Sequence, residues 1–391
     1  MIVAHQPLPL SLYIHWPFCL AKCPYCDFNS HVRETIPQER FANALRAELE
    51  HETTRLIQDA PRQLVSIFFG GGTPSLMQPE TVHHLIEDAR RLFPSVNDLE
   101  ITLEANPTSV EADRFRAFAE AGVNRLSLGV QSLDETDLAA LGRQHSARQA
   151  IAALELGRSI FPRLSFDLIY ARPGQTEEKW RAELRQALAL AADHLSLYQL
   201  TIEPGTKFEA QHRRGNLVLP EDDLAASLYM MTRDEAARFG LRDYEISNYA
   251  IPGAESRHNL TYWHYDDYLG IGPGAHSRLT FRDQLHATRR HRAPEPWAER
   301  VETHGHGTKD DETLSPDMKA HEALLMGLRL REGINAAHFS RRTGLLLRDC
   351  LDPVMLEACL EEGYLEQDAQ TLRATDEGRL RLEALLGQLV L

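Results

Sequence analysis

Cys19, Cys23 and Cys26 place three thiols within eight residues, directly after the apolar run Leu10 to Trp16. A structural zinc site normally wants four Cys or His ligands, and the next cysteine is the remote Cys350. Three ligands suit an iron-sulfur cluster better. Four thiolates complete a [4Fe-4S] cube, so three leave one iron open to a ligand that is not protein. On the residues alone, a zinc loop completed by a distant His and a redox dithiol at Cys23 and Cys26 stay open as alternatives.

Other residues have types suited to holding a small polar ligand. Gly70, Gly71 and Gly72 follow an apolar run, where missing side chains permit close backbone approach. Glu104 and Asp167, at or near strand ends, can accept charge-assisted hydrogen bonds from hydroxyls or an ammonium. Gln131 can do likewise, and Arg143 can pair with a carboxylate. For each of these a cap, a core hydrogen bond or a surface role is the plain alternative. His258, with Tyr262 and Trp263 nearby, offers an imidazole donor beside an aromatic wall, which is what haem iron and its macrocycle need. A packed, hydrogen-bonded histidine is the plain reading there. His276, in a glycine-rich stretch, is the reserve ligand.

These residues need elements to position them. Apolar, β-branched runs at Leu10 to Trp16, Leu64 to Phe69, Leu99 to Glu104, Arg125 to Val130, Arg163 to Tyr170 and His194 to Ile202 predict strands. Amphipathic stretches at Gln38 to Leu56, Pro79 to Phe93, Ala112 to Ala121, Ala147 to Ser159 and Glu177 to Ala191 predict the helices between them. Six such units imply parallel pairing through right-handed crossovers. The polar and glycine-rich clusters follow the strands, as they do at the mouth of an α/β barrel. The expected fold is therefore α/β: a partial (β/α)6 TIM-like barrel over residues 1–205.

After Gly205 the alternation stops. Residues 206–306 read as an extension of the barrel, with a helix at Glu221 to Phe239, a strand at Tyr244 to Tyr249, a turn-rich Tyr268 to His276, and a linker at Arg282 to His306. Residues 307–391 predict a small, mainly helical domain: helices at Pro316 to Arg331, Asn335 to Thr343 and Arg348 to Glu362, a hairpin at Tyr364 to Ala374, and a last helix at Glu377 to Leu386. That order resembles a winged helix. From Ser315 onward nine Lys plus Arg stand against thirteen Asp plus Glu, which favours a protein contact or a lid over DNA.

The net charge of −15 over 391 residues argues against general nucleic-acid binding, whose affinity rests on basic side chains. Five cysteines, three of them clustered, fit a reducing cytosol better than a disulfide framework. Met1 to Pro9 lacks the pattern of a signal peptide, and no apolar run is long enough to span a bilayer. A cytoplasmic protein is expected, with membrane contact at most peripheral.

Together, LYIHWPFC ending at Cys19, the spacing Cys-x3-Cys-x2-Cys, FGGGTP at Phe69 to Pro74, LEANP at Leu103 to Pro107, Gly129-Val130-Gln131-Ser132 and Asp167 to Tyr170 resemble the HemN/HemW branch of the radical S-adenosylmethionine (SAM) proteins. The resemblance implies a [4Fe-4S] cluster on Cys19, Cys23 and Cys26, with SAM on the open iron. It also implies SAM contacts from Tyr13, Tyr25, Gly71, Gly72, Thr73, Glu104, Gln131, Arg143 and Asp167. In the oxygen-independent coproporphyrinogen III oxidase of that branch, some of these positions contact a second SAM.

One departure separates the branch's members. The oxidase carries a fourth cysteine two residues after the third, where this chain has Phe28. The segment His258-Asn259-Leu260-Thr261-Tyr262-Trp263 matches the HNxxYW motif of the haem chaperones. The resemblance therefore implies haem as a third bound group, with His258, Asn259, Tyr262 and Trp263 at its site. It further implies delivery of haem to acceptor haemoproteins such as those of a respiratory chain. The alternative is a radical SAM enzyme acting on a porphyrinogen.

Overall fold

The structure, a computed structural model, describes residues 7–390. Met1 to Gln6, part of the stretch read for a targeting signal, lie outside them. Six parallel strands form in chain order: β1 (Leu8–Trp16), β2 (Arg62–Gly71), β3 (Ser95–Ala105), β4 (Arg125–Gln131), β5 (Arg163–Tyr170) and β6 (His194–Gln199). Each is a neighbour of the next in the sheet. Leu10, Leu12, Ile14 and Trp16 point outward to the helices and are fully buried. Period-two alternation then turns Ser11, Tyr13 and His15 to the concave side. The helices Gln38–Ile57, Pro79–Leu92, Ala147–Ile160 and Glu177–Leu190 supply the outer layer. Their apolar faces join the strands in one large core.

Six strands do not close a circle, and the sheet runs on at both edges. Beyond β6 come β7 (Arg242–Asp243) and β8 (Asn248–Ala250), with β8 antiparallel to β6. Beyond β1 come β9 (Tyr268–Ile271), β10 (His276–Phe281), β11 (Gln284–Arg290) and β12 (Thr308–Thr313). β9 is parallel to β1 and the last three are antiparallel. The twelve strands follow the order β12-β11-β10-β9-β1-β2-β3-β4-β5-β6-β8-β7. The partial barrel with an added sheet segment is thus present.

Several boundaries differ from expectation. The strand expected at Tyr244 to Tyr249 is instead β7 and β8 joined by a bend, because Glu245 folds back to accept from the Ser247 and Asn248 amides. Arg282 to His306 is no linker: it contains β11 and the helix Pro294–His304, whose Trp297 is fully buried in the main core. The prolines that suggested a linker sit in the first helical turn, where a fixed φ and a missing N–H cost nothing. Ala112 to Ala121 is split into Ser109–Ala112 and Phe115–Glu120. Arg348 to Glu362 is broken at Asp352, which caps a helix starting at Pro353.

The carboxyl-terminal region has a core of its own, built by helices Pro316–Gly327, Ala336–Thr343, Pro353–Glu361 and Leu382–Leu389 around a three-stranded sheet. It is fastened to the barrel at buried acids. Asp267 accepts from Arg62 at 2.7 Å and from Arg342 at 2.8 Å. Asp243 receives Arg331 at 2.8 Å and Arg379 at 3.1 Å.

Candidate SAM and cluster site

The cysteine loop leaves the end of β1 and is pinned on three sides. Phe18–Cys19 pairs with His31–Val32. Phe18 packs edge-on against Trp16 at 5.3 Å and Phe41 at 4.8 Å, the latter stacked on Trp297. The Asn29 side-chain amide donates to the carbonyls of Pro273 and Arg292, each at 2.9 Å. A short loop held at both roots keeps its thiols at the barrel mouth.

Cys19, Cys23 and Cys26 line one pocket with Gly71, Gly72, Thr73, Glu104, Gln131, Arg143 and Asp167. Tyr25 lines it too. Every expected SAM residue except Tyr13 is therefore in this one cavity. The Thr73 hydroxyl donates to Cys19 Sγ at 3.4 Å, and Arg143 donates to Cys23 Sγ at 3.4 Å. Burial pushes the Cys19 thiol up to about 11, against the Thr73 hydrogen bond, which favours the thiolate. Among the described residues no three His, Cys, Asp or Glu side chains converge on a single ion. A cube asks instead for separate thiolates on separate irons, and three loop cysteines facing one pocket can serve three of its four.

The glycines act by absence. A Cβ on Gly72 would stand 2.8 Å from the Phe18 carbonyl oxygen and 3.0 Å from Cys19 Sγ. On Gly71, whose φ is +118°, it would stand 2.7 Å from the His15 ring. Gln131, with φ 71°, holds a left-handed backbone that a glycine would adopt more easily.

The charges of the pocket are unbalanced in a telling way. Arg143 donates to the Asn106 side chain at 2.6 Å and to the Gly129 carbonyl at 2.7 Å. Among the described residues no carboxylate lies within ion-pair range of it, so it fits the carboxylate of a ligand. Glu104 accepts from the Gly71 amide at 3.2 Å. Burial, then Asp167, pushes it up to about 8. Burial raises Asp167 to about 6, against a hydrogen bond from Ser196 and the field of Arg143. Two acids without a cation of their own suit the ammonium and hydroxyls of SAM.

Tyr13 stands just outside this cavity. Its hydroxyl meets His15 Nδ1 at 3.0 Å, and His15 Nε2 meets the Asn29 carbonyl at 2.9 Å. His15, Asn106 and Glu111 were not singled out from the sequence. His15 was nonetheless readable, two residues from Tyr13 and so on the same strand face. Glu111 accepts from the Asn106 amide at 2.8 Å and from Ser75, bracing the loop after β3.

The HNxxYW residues are elsewhere. They form the helix Arg257–Trp263, which packs against β2 on the concave side, beneath the SAM pocket. His258 is 1% exposed. Its Nδ1 meets Ser66 Oγ at 2.9 Å and its Nε2 meets Tyr262 Oη at 2.8 Å. Its ring stacks on Phe68 at 4.8 Å. Both ring nitrogens are thus engaged and the ring has no open side, the arrangement of a packed, hydrogen-bonded histidine. Asn259 helps start the helix, its amide bonded to Ser256. Trp263 turns away from His258 toward the carboxyl-terminal region, under the guanidinium of Arg329 at 4.9 Å. The four residues do not share one surface on which a macrocycle can lie.

A family profile described as the Radical SAM superfamily matches residues 13–187, and one described as the HemN C-terminal domain matches residues 314–381. The chain is 42% identical over 383 residues to a Mus musculus relative, Radical S-adenosyl methionine domain-containing protein 1, mitochondrial, covering 96% of this chain and 86% of that one. It is 39% identical over 381 residues to the Escherichia coli (strain K12) protein named Heme chaperone HemW, covering 97% of each. Among solved structures, coproporphyrinogen III oxidase (HemN) from Escherichia coli superposes with a TM-score of 0.80 at 23% identity, covering 98% of this chain and 91% of that one. No helix among the described residues is long and apolar enough to cross a membrane.

Proposed function

This chain belongs to the radical SAM superfamily, in the branch that HemN and HemW proteins share, and from that membership we propose that it binds haem and passes it to acceptor haemoproteins. Family membership implies a [4Fe-4S] cluster and SAM. The residues fit both: Cys19, Cys23 and Cys26 would hold the cluster, and Arg143, Glu104, Asp167 and the Gly71 to Thr73 turn would hold SAM. The cluster, when bound, supplies one-electron reduction of SAM. The chain's own part is to position SAM by its charges and to keep water from the thiols.

The observation that carries the haem reading is Phe28. It stands where the oxidase of the resemblance has a fourth cysteine, and it is 60% exposed at the rim of the pocket. The full-length similarity to a relative named a heme chaperone agrees with it. Haem transfer is tested by loading the purified chain with haem, mixing it with an apo-haemoprotein, and following both Soret bands. Transfer faster than from free haem supports the reading, and absence of haem binding removes it.

The assembled SAM pocket favours a second reading, radical chemistry on a porphyrinogen. Anaerobic incubation of reconstituted protein with SAM, reductant and coproporphyrinogen III decides it. Formation of 5′-deoxyadenosine together with decarboxylated product supports catalysis; neither would discard it.

A further inference from the structure

Next to the SAM pocket lies a second, wider cleft of ≈620 Å³, between the mouth of β1 and the added strands β10 to β12. Gly71, Glu104 and Phe28 line both spaces. Its inner wall is aromatic: Tyr13, Tyr262 and Tyr268, the last two edge to face at 4.5 Å. Its outer rim is cationic, with exposed Arg289, Arg292 and Lys309. The acid nearest Arg289 is Asp310 at 3.9 Å. Among the described residues Arg292 and Lys309 have no carboxylate within 4.0 Å.

One imidazole in this cleft is unengaged. His276 is exposed at the start of β10, opposite Arg289 in the ladder. Among the described residues its ring makes no hydrogen bond, in contrast to His258 and His15.

We propose that this cleft is the haem site, with His276 as axial ligand to the iron, the tyrosine wall against one face of the macrocycle, and the propionates on Arg289, Arg292 and Lys309. An aromatic wall, a free imidazole and a cluster of cations, of which Arg292 and Lys309 have no carboxylate partner among the described residues, are the three things a planar metal-bearing dicarboxylate requires. The cleft's size falls in the range of small-molecule and cofactor sites. This assignment rests on the haem reading above and relocates its ligand from His258.

Ferric haem, haem dimethyl ester and metal-free protoporphyrin IX are titrated into the wild-type chain, His276→Ala, and Arg289→Ala combined with Arg292→Ala, following the Soret band. His276 is exposed, so its removal should leave far-UV circular dichroism unchanged. The expected result is a shifted Soret band and an affinity for ferric haem lower by about tenfold or more in His276→Ala. Metal-free protoporphyrin should bind both proteins alike. The arginine variant should lose most of the wild-type preference for haem over its dimethyl ester. Wild-type binding with an unchanged spectrum and affinity in His276→Ala overturns the site and leaves the haem reading intact. No wild-type binding overturns both.

Discussion

Glu104 and Asp167 occupy the pocket wall as two carboxyls with little to neutralise them. Glu104 rises from 4.5 to about 8, through burial and then Asp167. A native state that holds a proton more tightly than the unfolded chain loses stability as pH rises between those two values. The apo protein is therefore expected to melt at lower temperature at pH 8 than near pH 5, and Glu104→Gln to flatten that slope in calorimetry. The same substitution removes an anionic acceptor from bound SAM. In reconstituted protein it should weaken SAM by about 10- to 100-fold, as loss of one charge-assisted hydrogen bond does; equilibrium dialysis measures this, and unchanged affinity would take Glu104 out of the site. His258 moves the other way, lowered by burial to about 3. Its stabilisation is complete above 6.5 and lost as pH falls toward 3. His258→Ala leaves the Tyr262 hydroxyl without a partner and Ser66 with Ser11 alone, and opens a buried space, and should cost about 2–4 kcal/mol in urea unfolding. A destabilised variant with an unaltered haem spectrum is the expected signature of a packing histidine.

At the level of elements, the site depends on a turn that tolerates no side chain. Gly72→Ala would press a methyl against the Phe18 carbonyl and Cys19 Sγ. Such overpacking costs about 1–3 kcal/mol. It is expected to lower iron and sulfide per chain after anaerobic reconstitution while the fold persists; full iron content would show that the cysteine loop is more pliant than its anchors suggest. The six barrel strands could be read from the sequence because each is an apolar, β-branched run, buried on its helix side. Their polar ends could be read because alternation and chain direction fix where they emerge. β9 and the helix Pro294–His304 could not, since their partners are distant. β9 lies along β1, and Trp297 finds its place by donating to Glu48 of the first helix at 3.1 Å. The resemblance likewise implied a chemistry for the HNxxYW segment but not its neighbours. Ser11, Ser66 and Phe68, which with Tyr262 enclose that helix's histidine and threonine, come from strands far away in sequence.

At the scale of the whole molecule, the carboxyl-terminal region is tied to the barrel through a few buried charges. Asp267 is 4% exposed and serves Arg62, Arg342 and both the amide and hydroxyl of Thr280. Removing one partner of a buried, hydrogen-bonded pair strands the other. Asp267→Ala is expected to cost about 3–5 kcal/mol and to hasten proteolytic release of the carboxyl-terminal region; a cleavage rate equal to wild type would show that its apolar contacts suffice. The pocket and the cleft, for their part, share Gly71, Glu104 and Phe28 as a common partition. With SAM in the one and, as proposed, a tetrapyrrole in the other, thermodynamic linkage would make the two occupants answerable to each other: whatever factor SAM imposes on the dissociation constant of the tetrapyrrole, the tetrapyrrole must impose on that of SAM. Because one wall serves both spaces, that factor is expected to differ from one, so the nucleoside would act as a gauge of cargo.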